Sequence, residues 1–281
     1  MRLSFHIVDV FTEVALAGNQ LAVFTDAAEV PAPLMQKIAR ETNFSETTFV
    51  IGRSEGRAKV RIFTPETELP FAGHPSLGTA AVVLGKGGPA AKLILELGVG
   101  DVPVEVAPAP YGSSCELEAP AAKKLEDKDA GSLAAALDVK ARDLDHSLPA
   151  QVWSCGNPFV FVPLRTKAAV AETKCPAVNV PGTIGIMPFA RLSPTEVHAR
   201  VFCPGAGVPE DPATGSCNAP FAAYLHANGA LEEGAVVGTW QGVEMGRPSR
   251  LRARMVRGAG GELRPRVAGG VVFVAEGVLT I

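Results

Sequence analysis

The chain predicts an α+β protein of two pseudo-symmetric domains, in each of which sheet wraps round one central helix, and three observations carry that prediction. Its 281 residues are about twice the ~150 that serve as a prior for one domain. Strand signals outnumber helix signals without alternating regularly with them, which disfavours a doubly wound parallel sheet. A loop-to-helix unit recurs half a chain apart, as gene duplication would leave it.

The elements follow from local pattern. Leu3, Phe5 and Ile7 alternate with Arg2, Ser4 and His6 as in a half-buried strand, and Leu21–Phe24 reads as its hairpin partner across a Gly18-Asn19 turn. After Pro31 and Pro33, Leu34, Ile38 and the stem of Lys37 have helical spacing, and Asn43 ends that helix before a strand over 47–52. Val60, Ile62 and Thr64 alternate into another strand, residues 61–74 form a loop, and His74-Pro75 opens an Ala-rich helix. Residues 151–164, 183–190, 251–257 and 270–281 carry further β signals. The charged stretch 118–132 separates the halves, so the domains are read as 1–115, with 270–281 a candidate to complete it, and 116–269.

In the repeat, Arg61-Ile62-Phe63 and Pro65 match Arg200-Val201-Phe202 and Pro204 at an offset of 139 (200 − 61), with Pro70 opposite Pro209. Three extra residues then move the offset to 142 (215 − 73), aligning Gly73 with Gly215, His74 with Ser216 and Ala80-Ala81 with Ala222-Ala223. A helix start exposes unpaired N–H groups and a partial positive charge, which together bind carboxylate or phosphate. With the halves packed about a pseudo-twofold, both starts would face an interdomain cleft, and a small anionic molecule is the implied partner.

Composition removes other classes. There are 26 Lys plus Arg against 29 Asp plus Glu, so no basic excess exists to neutralise a nucleic-acid backbone. His6, Asp9 and Glu13 interrupt the opening segment, and no run approaches the ~18 apolar residues of a membrane span, so neither a signal peptide nor a membrane is expected and the reading is cytoplasmic. Five scattered cysteines without a CxxC or His spacing suggest reduced thiols and no metal site.

The motifs FSETTFV (44–50), FTPETELPFAGHPSLGTA (63–80), EDPATGSCNAP (210–220) and QGVEMGRPS (241–249), with GNQLAVF (18–24), resemble the phenazine-biosynthesis PhzF-like family over nearly the whole chain. The resemblance implies a diaminopimelate-epimerase-like fold, two β-barrels each around a central helix, commonly as a homodimer, and proton shuttling without a cofactor. It places Glu46 as the general acid/base that isomerises trans-2,3-dihydro-3-hydroxyanthranilate in the family's namesake, with His74 and Asp211 as partners that bind and orient substrate. Asp211 is assigned to the substrate ammonium and His74 to hydrogen bonding or proton movement. Ser45, Gly73, Thr214, Gly215 and Ser216 are candidate substrate-binding residues, and Asn19 is another, although a Gly-Asn turn alone also explains it. Phe44, Phe49 and Phe71 are candidates for an apolar wall that would raise a carboxyl's pKa toward neutrality. Taken singly, Glu46 also reads as a solvated acid and Asp211 as a turn initiator.

Two residues depart from the family pattern. Gln20 stands where Pro is usual, and Cys217 follows Ser216 at the second helix start. A two-thiol racemase mechanism would need a cysteine near Pro75, and residues 66–80 contain none, so Cys217 reads as a buried inert thiol. Arg247, between Gly246 and Pro248, reads as a turn and ion-pair residue. The leading expectation is an isomerase of a small carboxylate-bearing, cyclic or amino-acid-like substrate; the alternatives are an amino-acid epimerase or racemase and a non-catalytic anion-binding protein on the same fold.

Overall fold

The computed structural model describes residues 1–204, 208–258 and 260–281. The first part of the chain forms β1 (Arg2–Val10), β2 (Asn19–Phe24), α1 (Ala32–Thr42), β3 (Glu46–Ser54), β4 (Arg57–Phe63), β5 (Glu68–Leu69), α2 (Gly73–Leu84), β6 (Ala91–Leu97), β7 (Gly100–Ala109) and β8 (Gly112–Glu118). Then come β9 (Lys123–Asp127), α3 (Ala130–Ala136), β10 (Gln151–Ser154), β11 (Pro158–Pro163), α4 (Lys167–Ala171), β12 (Gly185–Arg191), β13 (Glu196–Ala199), α5 (Gly215–Ala227), β14 (Val236–Gln241), β15 (Ser249–Arg257) and β16 (Leu263–Thr280). The protein is thus mostly β with few helices. It divides into two compact units, Met1–Leu117 with Ala268–Ile281, and Glu118–Val267.

In the first unit the strands run β1-β2-β3-β4-β6-β7-β8-β16 and close on themselves where β16 pairs antiparallel with β1 from Arg2↔Thr280 to Val10↔Val271, giving a barrel of eight strands. Closure removes the exposed edges that an open sheet would present. Helix α2 packs against β1, β2, β3, β6 and β7 and is buried continuously from His74 to Val82, so it is the barrel's core. Gly78 lets it approach the wall: a Cβ there would lie 2.6 Å from Leu21 Cδ2 and 2.9 Å from Val10 Cγ2. Outside the wall, α1 buries Met35, Ile38 and Ala39 in a cluster with Phe24, Phe49 and Phe63, whose rings stack or meet edge to face. Asn43 ends α1 in the left-handed conformation, φ 53°, with its N–H donated to Ala39 O.

Two local expectations need correction. The tight Gly18-Asn19 hairpin is instead a wide connection over residues 11–18, and Asn19 is the first residue of β2, opposite Val10. Buried Asp9 holds this connection by accepting the Leu16 N–H at 2.7 Å, and the Thr12 hydroxyl braces Val14. Lys37 is exposed and Met35 takes the buried position predicted for its stem, because the inward stripe of α1 is rotated by part of a turn. The charged stretch 118–132 contains β9 and the start of α3, capped by Asp129 on the Ser132 N–H. All five residues of β9 are exposed, so backbone pairing with β10 defines it and no buried/exposed alternation marks it.

The second unit orders its strands β16-β15-β14-β13-β12-β11-β10-β9. On β11, Phe161 faces α5, meeting Phe221 and Tyr224 at 5.2 and 5.1 Å between ring centroids, while Val160 and Val162 join Leu133 of α3 and Val170 of α4 on the other side. Both faces are buried, which is why this strand reads as a continuous apolar run.

The two units share an internal order of pairings. From β1 to β7 through β2, β3, β4 and β6, successive neighbours are antiparallel, parallel, antiparallel, parallel and antiparallel. From β10 to β15 the sequence of pairings is the same. The repeated motif also repeats in contacts. Arg61 forks Glu68 with Nε–Oε1 2.7 Å and Nη2–Oε2 2.6 Å and lies over Phe63. Arg200 forks Glu210 with 2.8 and 2.7 Å and lies over Phe202. Glu68 therefore corresponds to Glu210 at offset 142 (210 − 68), so Pro70 corresponds to Pro212 and not to Pro209, and the three extra residues lie between Pro204 and Glu210.

Candidate active site

In the first unit, Glu46 opens β3 and His74 is the second residue of α2. Side chains alternate along a strand, so Glu46 shares its face with Thr48, whose hydroxyl bonds Thr79 of α2 at 2.8 Å. That face looks onto the central helix. Glu46 Oε2 and His74 Nε2 consequently approach to 3.5 Å, with side chains only 17% and 6% exposed. Phe49 lies on the opposite face of β3, stacked on Phe24, and Phe44 packs against the same cluster. Neither forms the expected wall beside Glu46, because an odd spacing on a strand turns Phe49 away. Phe71 is half-buried, just before α2.

Burial pushes the His74 imidazole down to about 3, and its hydrogen bond to the Gln20 backbone opposes this only in part. His74 Nε2 is buried without a hydrogen bond, so Nδ1–H is the group that donates to the Gln20 carbonyl. At neutral pH the ring is therefore uncharged and turns the Nε2 lone pair toward Glu46. Because Gln20 contributes through its backbone, its side chain, the departure noted above, does not alter the bond. Ser45 is half-buried before β3, Asn19 is buried at the start of β2, and Gly73 is the first residue of α2. The Ala72 cap of α2 supplies no side-chain acceptor, so the Gly73 and His74 N–H groups are not taken by a cap.

In the second unit, Asp211 and Thr214 precede α5, with Gly215 and Ser216 in its first turn. The Thr214 hydroxyl donates to Asp211 Oδ2 at 2.6 Å. The Asp211 N–H donates to Val201 O at 3.0 Å, and the Arg200–Glu210 fork anchors the preceding residue. Cys217 is fully buried with Sγ 3.5 Å from Met187 Sδ, and burial pushes its thiol well above the ordinary 9.0, which makes it inert. Arg247 sits in a chain reversal closed by its N–H to Gly242 O at 3.0 Å. Sequence reasoning missed Gln241, the first residue of the motif at 241–249; buried beside Thr214, it bonds that residue and Asp211. Among the described residues, no group of three or more His, Cys, Asp or Glu is placed to hold a metal ion, and no helix is long and apolar enough to cross a membrane.

Solved structures of a PhzF-family protein and of a predicted epimerase share this architecture. A PhzF-family phenazine biosynthesis protein of Bacillus anthracis superposes with TM-score 0.89 at 26% identity, and a predicted epimerase of Pseudomonas aeruginosa with 0.85 at 31%, each over the full length of both chains. The trans-2,3-dihydro-3-hydroxyanthranilate isomerase of Pseudomonas chlororaphis is 37% identical, with 98% of each chain covered. The pattern of the PhzC-PhzF family, described as phenazine biosynthesis-like protein, matches residues 8–277. The chain belongs to this family and is an isomerase.

Proposed function

We propose that this isomerase moves a proton on a small carboxylate-bearing cyclic substrate resembling trans-2,3-dihydro-3-hydroxyanthranilate, with Glu46 as the general acid/base. The observation that carries the reading is the Glu46–His74 pair, 3.5 Å apart, in which His74 is buried and its imidazole stays neutral. A ring with its proton committed to Gln20 accepts from a carboxylic acid and does not compete for the transferred proton, so Glu46 is the carrier. The Glu46 carboxylate takes a proton from one substrate carbon, the C–H electrons pass into the conjugated system, and the resulting acid returns the proton at a second carbon. Atoms and charge balance without a co-reactant. Asp211 is assigned to the substrate ammonium, Gly215, Ser216 and Gly73 to its carboxylate through the Ser216 hydroxyl and helix-start N–H groups, and Thr214, whose own hydroxyl hydrogen goes to Asp211, to holding that residue's carboxylate in place. The matching pairing orders and Arg–Glu forks support an origin of the two units by duplication.

The test is turnover of trans-2,3-dihydro-3-hydroxyanthranilate followed by ultraviolet absorbance and optical rotation. Glu46→Gln loses about a hundredfold or more in kcat while its circular dichroism is unchanged. Asp211→Ala weakens substrate binding. Wild-type turnover in Glu46→Gln removes Glu46 from the mechanism, and loss of optical activity without a spectral shift replaces isomerisation by epimerisation.

A further inference from the structure

Gln241 ends β14 and is completely buried. Its Nε2 donates to the Asp211 backbone carbonyl at 2.7 Å and to Thr214 Oγ1 at 3.0 Å, while its Oε1 accepts the Thr214 backbone N–H at 3.2 Å. The orientation of the amide follows from its partners, since a backbone N–H only donates and a carbonyl only accepts. Nε2 must therefore face Asp211 O, and its second hydrogen meets the Thr214 hydroxyl. That hydroxyl, already accepting from Gln241, directs its single hydrogen to its other neighbour, Asp211 Oδ2 at 2.6 Å. The donor chain ends on the Asp211 carboxylate as an acceptor, the form that pairs with a cation. A carboxylate in place of the amide would set an acceptor against Asp211 O and draw the Thr214 hydrogen away from Asp211.

We propose that Gln241 is a positioning residue for substrate binding: its amide sets the direction of the Thr214 hydroxyl and so keeps the Asp211 carboxyl oriented as an acceptor for an ammonium-bearing substrate. The inference rests on the assignment of Asp211 to the substrate and deepens it by naming what prepares that carboxylate. A purely structural tie would hold the loop equally well whichever way the Thr214 hydrogen pointed.

The hydrogen-bond relay is tested without substrate by nitrogen-edited NMR of the Gln241 side-chain amide against pH. In the wild-type protein its resonance shifts as Asp211 titrates, and Thr214→Val abolishes the shift while the two backbone bonds remain. A resonance indifferent to pH in the wild type, or a shift that survives Thr214→Val, overturns the relay. With trans-2,3-dihydro-3-hydroxyanthranilate, Gln241→Glu raises KM about tenfold or more and leaves kcat within about threefold, the size expected for one hydrogen bond to a charged group. Thr214→Val raises KM likewise, and the double variant is no worse than either alone because both act through Asp211. Additive losses, or a fall in kcat at unchanged KM, refute the positioning role. A wild-type protein that leaves this compound unchanged but shows the pH-responsive amide removes the proposed substrate and keeps the relay.

Discussion

The burial that brings His74 against Glu46 also strips its ring of charge. In the unfolded chain the imidazole takes up a proton near 6.5, whereas in the folded protein it does so near 3. Between these values the unfolded chain binds more protons. Stability therefore rises with pH through that window, is complete above 6.5, and is lost as pH falls toward 3. The slope contributed by this one group approaches roughly 1.4 kcal/mol per pH unit. Urea unfolding across the window shows a shallower dependence by about that amount for His74→Gln than for the wild type; parallel curves refute the assignment. Glu46, His74 and Asp211 were legible as motif residues. The loss of charge on His74 was not, since it depends on which strands surround the helix, and the motif also hid that Phe49 turns away from Glu46.

At the scale of elements, short-range signals read well where local physics decides the outcome. Asn43 was identifiable as a helix end because left-handed backbone suits Asn, and the run 158–163 as a strand because both its faces are covered. Pairing between distant segments had no such signature, as β9 illustrates. The seam of the barrel depends on another such pairing. Gly112, at the start of β8 with φ 145°, faces β16, and a Cβ there would run into the Val271 carbonyl oxygen. Gly112→Ala combines a forbidden backbone angle with a clash against main chain, and should cost about 2–3 kcal/mol. The expected reading is a lower urea midpoint at unchanged slope; a wild-type midpoint would show that β8 and β16 do not meet so closely.

For the whole molecule, the chain's last dozen residues complete the barrel begun by its first ten, so the first unit cannot close until the final strand has been made. Truncation after Gly269 deprives β1 of every β16 partner from Val271 to Thr280. Both tryptophans, Trp153 and Trp240, lie in the second unit and report on it alone. The truncated chain should lose far-ultraviolet sheet signal and cooperative melting of the first unit while tryptophan emission stays native-like. Full retention of the sheet signal would mean that the barrel closes without β16.

Reading the residues in order was enough for the α+β character, the repeated Arg–Phe–Pro loop with its Ala-rich helix, and the family motifs with the candidate residues they carry. These follow from side-chain type and spacing over a few residues, which local sterics and periodicity govern. Folding decided that β16 closes the barrel, that Glu68 and not its neighbours corresponds to Glu210, that His74 is neutral, and that Gln241 orders the hydrogens around Asp211. Each of these is a relation between groups far apart along the chain, where burial and hydrogen-bond direction arise only once separate strands and helices are packed together.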